Sequence, residues 1–396
     1  MTNFQLTRVS ASLKEQCRLA YEKLPKDSDT RRAIDKSVQY ITSAFSKLDL
    51  TNKNHSAVSV KSLGTIKIDS LSKELEQCFG EYWHEYVVVP KGFSEECKNY
   101  KKFCLQWNKY TFEVYFYYVD TPSDKLLDMY VQRITDVITF LNAFLPLNLK
   151  YLNKTTPIRI LFTSSNPPRA VIRGASVTDI KSGKCFFVPS GAKSDKHGII
   201  VSRINGLLFL LTHELIHLLC QVSVGADHES FTEHLAVLLH TVLTHHRYFR
   251  KSETLSDMIR VEVTHSLLLW YKLQHSVVGL PDCGGRHTKK DTTLCHYVQG
   301  RALLLLSLHA VKPLDVVKHY LDVTNALKGV MYGSKYSETN PKKLLEAEVV
   351  YHNALSVLEH DVHKYWKELP LNSYVEDTTC GDIVVEYAVH DITVQR

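Results

Sequence analysis

The stretch that decides the reading is Leu207-Leu208-Phe209-Leu210-Leu211-Thr212-His213-Glu214-Leu215-Ile216-His217. On an α-helix, residues four apart lie one above the other on the same face. His213 and His217 therefore offer two imidazoles to one point, and Glu214 stands one step round from His213. Zinc accepts neutral imidazole readily, and a catalytic zinc site takes three protein ligands and leaves a fourth position for water. A carboxylate beside such a site can take the proton of the water. His-Glu-x-x-His thus supplies two ligands and a general base within five residues. The apolar run before it, Leu207 to Leu211, is that of a helix buried in a core. The plainer alternative is a core helix whose histidines bond to neighbouring polar groups, since buried polar groups need partners of some kind.

A third ligand has to come from elsewhere, and the next helix offers it. Gly225 breaks the first helix, and Asp227 or His228 stands where a cap for the second is needed. A short turn makes the two helices antiparallel neighbours. Glu229 and Glu233 then share a face that points back toward the histidines. One of the two carboxylates binds the metal, and the other accepts the N–H of a ligating imidazole. Asp227 and His228 are further candidates. The plainer alternative for the two glutamates is a solvent-facing acidic stripe.

Here the chain resembles the gluzincins, the thermolysin-like and aminopeptidase-like zinc peptidases. The run His228-Glu229-Ser230-Phe231-Thr232-Glu233-His234-Leu235-Ala236 is similar to their third-ligand segment. The resemblance implies Glu229 as the zinc ligand and Glu233 as the acid that orients a zinc-bound histidine. The interval from His217 to Glu229 is shorter than those families usually have, so the two glutamates could exchange roles. The metzincin pattern is absent, because Cys220 and Ser223 stand where its Gly and third His would be. His296-Tyr297-Val298-Gln299-Gly300-Arg301-Ala302-Leu303 resembles the aminopeptidase-like segment whose tyrosine stabilises the oxyanion. That implies the same role for Tyr297, with His296 as a second donor candidate, although Gln299 replaces the usual lysine. Residues from about 110 to 310 are also broadly similar to a group of uncharacterised predicted zincins encoded by large DNA viruses, whose motifs correspond here to His213–His217, Glu229–Glu233 and Thr292–Tyr297.

The resemblance implies an α+β, zincin-like fold: a small mixed sheet with an edge strand beside the His-Glu-x-x-His helix, a helical C-terminal subdomain and a helical N-terminal region. It implies Zn2+ as cofactor and a protein or peptide as substrate, bound extended along the sheet edge. Arg173-Gly174-Ala175-Ser176-Val177 and Ile199–Ser202 are the edge candidates. The aminopeptidase Gly-Ala-Met-Glu-Asn motif is missing, so metalloendopeptidase is expected over exopeptidase. The rival expectation is a non-catalytic interaction protein on a zincin scaffold with structural or vestigial zinc. A third is an all-helical binding protein without metal.

The rest of the chain fills in around this segment. Residues 1–50 read as two amphipathic helices broken at Pro25, with Asp27-Ser28-Asp29 as cap candidates. Asn52 to Ser70 is polar and reads as an exposed connection, and a helix is expected from Leu71 to about Tyr86. Tyr110–Tyr118 and Ile158–Thr163 read as strands, with a long helix from Ser123 to about Phe144 between them. Short β-prone runs follow at Ala170–Val177, Cys185–Val188 and Ile199–Val201. Helices are expected at about 204–221, 229–248, 254–276, 292–310, 313–328 and 341–366. Asp382 to Val389 alternates like a strand. The expected organisation is an accessory helical region over 1–100, a catalytic domain over 101–366 (sheet and metal helix to 228, helical subdomain from 229) and a tail over 367–396.

With 44% apolar and 23% charged residues the composition is that of a globular protein. The charge of +6 is spread along the chain, with no basic block interleaved with aromatics, so neither nucleic acid nor membrane is an expected partner. Nine scattered cysteines, an odd number without a C-x-x-C pair, suit reduced thiols. With no signal-peptide core at the N-terminus and no apolar run long enough to span a bilayer, the expected compartment is intracellular, the cytoplasm.

Overall fold

A computed structural model describes residues 4–6, 8–45, 58–79, 96–144, 157–163, 178–179, 184–187, 198–201, 208–220, 226–274, 301–303, 305–306, 358–367, 389–390 and 392–394, with a few isolated positions besides. The chain divides into two compact units that do not follow sequence order: residues 1–5, 49–224 and 391–396 form the first, and 6–48 with 225–390 the second. Strands and helices both contribute, so the class is α+β, and the all-helical expectation is overturned by the sheet.

Among the described residues the first unit is built on a mixed sheet of seven strands: β2 (Ser59–Lys67), β3 (Asn99–Trp107), β4 (Tyr110–Tyr118), β5 (Ile158–Thr163), β6 (Thr178–Asp179), β7 (Lys184–Phe187) and β8 (Gly198–Val201). Their order across the sheet is β2-β3-β4-β5-β8-β7-β6. β2, β3 and β4 run as an antiparallel meander, β4, β5 and β8 are parallel, and β7 and β6 return antiparallel. The β3–β4 hairpin closes through Asn108, whose φ of 52° is a left-handed conformation that asparagine tolerates. Between β2 and β3 lies α3 (Leu71–Phe79), where a helix was expected from Leu71. A parallel step needs a crossover, and α4 (Asp124–Phe144) supplies it between β4 and β5.

That helix starts where Ser123 Oγ accepts the Leu126 N–H at 3.3 Å. Its buried Leu127, Tyr130, Ile134, Val137, Ile138 and Leu141 recur at intervals of three and four, the spacing of one helix face. Tyr130 reaches Phe162 of β5 at 4.9 Å between ring centroids, and Phe116 of β4 stacks on Phe162 at 4.6 Å. Beyond β8 the chain enters α5 (Leu208–Cys220), which packs on α4.

Two expectations change here. The polar run from Asn52 to Ser70 contains a strand, β2, where a connection was expected. Nearly all of it is exposed, so its Ser/Lys-rich composition suits an edge strand standing outside the core. Ile199–Val201 is not an edge: β8 pairs with β5 on one side and β7 on the other. Arg173–Val177 lies outside the described residues, as do Ser202 and Asp382–Ala388.

The second unit is helical. It contains α1 (Arg8–Lys23), α2 (Asp29–Phe45), α6 (Ala226–Thr244) continued by a π-helical turn at His245–Phe249, α7 (Leu255–Gln274) and, after a second π-helical turn at Leu358–Val362, the short α8 (His363–Trp366). The break at Pro25 is as expected, and Ser28 Oγ accepts the Arg31 N–H at 3.2 Å where α2 begins. Buried Thr30, Ala33, Ile34, Ser37, Val38, Ile41 and Phe45 form the inner face of α2. Both N-terminal helices pack against α7. Trp366 is fully buried and its indole N–H donates to the Ala20 carbonyl at 2.9 Å, tying α8 to α1. Strands β1 (Phe4–Leu6) and β9 (Ile392–Val394), which apart from Leu6 belong to the first unit, pair as a separate two-stranded sheet. Among the described residues no helix is long and apolar enough to cross a membrane.

Candidate metal centre

Helix α5 has no exposed face among its described side chains. Leu208, Phe209, Leu211, Leu215, Ile216, Leu218 and Leu219 are buried, and so are the polar Thr212, His213 and Glu214. His213 retains 2% of its exposure and Glu214 3%, so an imidazole and a carboxylate stand side by side inside the protein. Placing an ionisable pair there costs free energy that its surroundings must return. The Phe209 ring lies 6.3 Å from that of His213, one turn earlier. Thr212 Oγ1 donates back to the Leu208 carbonyl at 2.7 Å and accepts from the Arg133 guanidinium of α4 at 3.4 Å. His217 follows within the same helix, at the interval of four that the sequence prescribes. Its side chain lies outside the described residues.

In the second unit, Glu229 belongs to the first turn of α6 and Glu233 follows one turn on. The side chain of Glu229 is not described. Glu233 is buried, which removes it from the solvent-facing stripe offered as the plainer reading. Its Oε1 accepts from Arg301 Nη1 at 3.1 Å. Next to it, burial pushes the His234 imidazole down to about 3, with the charge of Arg301 acting in the same direction. That ring is a neutral one. Tyr297, His296, Asp227 and His228 have no described side chain, and Tyr297 and His296 lie wholly outside the described residues. Among the described residues, no group of three or more His, Cys, Asp or Glu is gathered as a metal-binding set.

The sequence reading missed the polar centre that surrounds Glu233. Arg301 is buried, and its guanidinium has donors pointing three ways: Nε to Ser266 Oγ at 2.7 Å, Nη1 to Glu233 and Nη2 to Glu262 Oε2 at 3.4 Å. Ser266 Oγ in turn donates to the Glu262 carbonyl at 2.9 Å. The other oxygen of Glu262 accepts the Val389 N–H at 3.0 Å and His390 Nδ1–H at 2.9 Å. His265 Nδ1 stands 3.5 Å from Arg301 Nη2 and 3.9 Å from Glu262 Oε2. We assign it as an acceptor from the arginine, because guanidinium nitrogens only donate and that contact is the shorter. All these side chains are buried.

A signal for part of this centre existed. Val261-Glu262-Val263-Thr264-His265-Ser266 sets Glu262, His265 and Ser266 at helical spacing just before the apolar run Leu267–Trp270. Arg301 likewise heads the apolar run Ala302 to Leu306. His390 carried no local pattern that could have marked it.

No protein-family model, curated protein or solved structure matches the chain.

Proposed function

We propose that the chain is a zinc-dependent peptidase with a zincin-like catalytic core. The observation that carries this is the burial of His213 and Glu214 together on a helix otherwise composed of Leu, Ile, Phe, Thr and Cys, with His217 in register on it. The donor chemistry fits the ion: two imidazoles at an interval of four and a carboxylate make the nitrogen and oxygen set that zinc takes in catalytic sites. His213, His217 and Glu229 would hold it. What zinc supplies when bound is Lewis acidity toward water and toward a carbonyl oxygen.

The remaining roles belong to this chain's side chains. Glu214 takes a proton from the attacking water on its carboxylate and delivers it to the leaving nitrogen. Tyr297 donates its phenol O–H to the developing oxyanion, a contribution of a few kcal/mol where such donors are preorganised. Glu233 accepts an imidazole N–H or exchanges with Glu229. The pairing of Glu233 with Arg301 favours Glu229 as the ligand, since one Glu233 oxygen is already committed to a guanidinium.

The sheet supports the zincin-like reading. Antiparallel β7 lies beside β8, and β8 leads into the metal helix across residues 202–207. Among the described strands the sheet order ends on β6 (Thr178–Asp179), whose outer side is the edge that would take an extended peptide. Cleavage within the chain of a protein or peptide substrate is the expected activity.

The test is Glu214→Gln. The variant is expected to retain stoichiometric zinc and to lose hydrolysis by at least two orders of magnitude, the usual scale of a general base. Peptides from a complex digest, cut by the wild type and not by the variant, would define the substrate. Full activity in Glu214→Gln would remove Glu214 from the mechanism. Stoichiometric zinc with no turnover in the wild type would replace the enzyme by an interaction protein on the same scaffold.

A further inference from the structure

We infer that Arg301 is a positioning residue for Glu233 and that the Val389–His390 turn holds Arg301 in place through Glu262. The inference rests on reading Glu229 and Glu233 as the acidic pair of a zinc site. Each link is a contact between buried groups. The turn grips Glu262 Oε1 with two donors, a backbone N–H at 3.0 Å and an imidazole N–H at 2.9 Å. Glu262 presents its other oxygen to Arg301 Nη2, and Ser266 fixes Arg301 Nε. With Nε held by Ser266 and Nη2 by Glu262, the planar guanidinium cannot turn without breaking a bond, so Nη1 meets Glu233 Oε1 at a defined place.

The reach of this relay is the reason to assign it a role beyond packing. His390 and Glu262 are 128 residues apart, and Arg301 and Glu233 are 68 apart. Three separate pieces of the chain, α7, Arg301 and the Val389–His390 turn, therefore stand in series behind one carboxylate of α6, one turn beyond the proposed ligand Glu229. A single-partner salt bridge would hold Glu233 loosely. A guanidinium clamped by a serine and a second glutamate, itself clamped by the chain near its C-terminal end, holds it stiffly. Groups that orient metal ligands commonly tune metal affinity about 10- to 100-fold.

The experiment uses the full chain and zinc itself, with the dissociation constant measured by competition against a chelating dye. His390→Ala removes one of the two donors to Glu262 Oε1 and is expected to weaken zinc binding by up to about tenfold, the lower end of the range for groups that touch a ligand directly. His390→Asn, whose side-chain amide keeps an N–H near the Nδ1 position, is expected to recover most of that loss. Helical content should be unchanged in both. A His390→Ala protein that is folded and binds zinc like the wild type overturns the inference and leaves the peptidase reading standing. Should His390→Ala fail to fold, Ser266→Ala takes its place, with weaker zinc binding expected and unchanged binding overturning the inference. If the wild type binds no zinc, the peptidase reading falls, and the relay is judged by urea unfolding of Glu233→Gln, His390→Ala and their double variant. Non-additive effects support the relay, and additive ones overturn it.

Discussion

Glu113, on β4, shows at the scale of one residue how a sheet arranges charge. It accepts from Lys102 Nζ of β3 at 2.6 Å and from the Tyr115 hydroxyl on its own strand, and Arg159 of β5 lies 3.5 Å away. Burial pushes its carboxyl up, but the Lys102 and Tyr115 hydrogen bonds and the charges of Lys102 and Arg159 together bring it below the ordinary value of 4.5. A carboxyl depressed on folding contributes stability above its unfolded value, and that contribution is lost as pH falls through the folded one. The unfolding free-energy difference between wild type and Glu113→Gln should therefore stay constant from neutral pH to about 4.5 and shrink below it. Urea unfolding across that range checks this, and a difference that stays flat would show that the charge is not coupled to folding. The two kinds of polar site differ in legibility at this scale. The interval of four between His213 and His217, with Glu214 between them, was readable because it lies within one helical turn. Glu262, Arg301 and His390 were not, because each is explained only by a group far away in the chain.

Among the elements, the strands and helices with strong periodicity were readable almost to the residue. β4, α4 and β5 were expected at Tyr110–Tyr118, Ser123–Phe144 and Ile158–Thr163, and each is found there. Aromatic and β-branched runs, a serine cap and a stripe at intervals of three and four are local signals, and local sterics suffice to read them. β2 was not read, because an exposed edge strand has no buried face and so no alternation to detect. The cap of α4 makes a test at this scale. Ser123→Ala should lower the stability of the first unit by about 1 kcal/mol, by removing the hydroxyl that shares the Leu126 N–H with the Ser123 carbonyl. Chemical denaturation followed by tryptophan fluorescence would measure it, and an unchanged midpoint would mean that the Ser123 hydroxyl contributes nothing to the cap.

For the whole molecule, the metal proposal makes a thermodynamic demand. An ion that binds the folded chain and not the unfolded one adds about 2.7 kcal/mol at a hundredfold excess over its dissociation constant. Stripping the protein with a chelator should lower its melting temperature, and returning zinc should restore it. Melting that ignores both treatments would exclude a zinc site of useful affinity. At this scale the sequence was least informative. An accessory helical region was expected over residues 1–100; its α1 and α2 pack on α7, and the chain returns to this unit as late as Val389–His390. The order of residues was enough to establish the class of each strong element and a pair of imidazoles at metal-binding spacing, since both depend on backbone geometry over a few residues. Tertiary structure alone decided that β8 is interior, that Glu233 is buried against Arg301 and that His390 closes the polar centre. Those facts depend on which distant segments exclude water from one another, and hydrophobic burial is blind to separation along the chain.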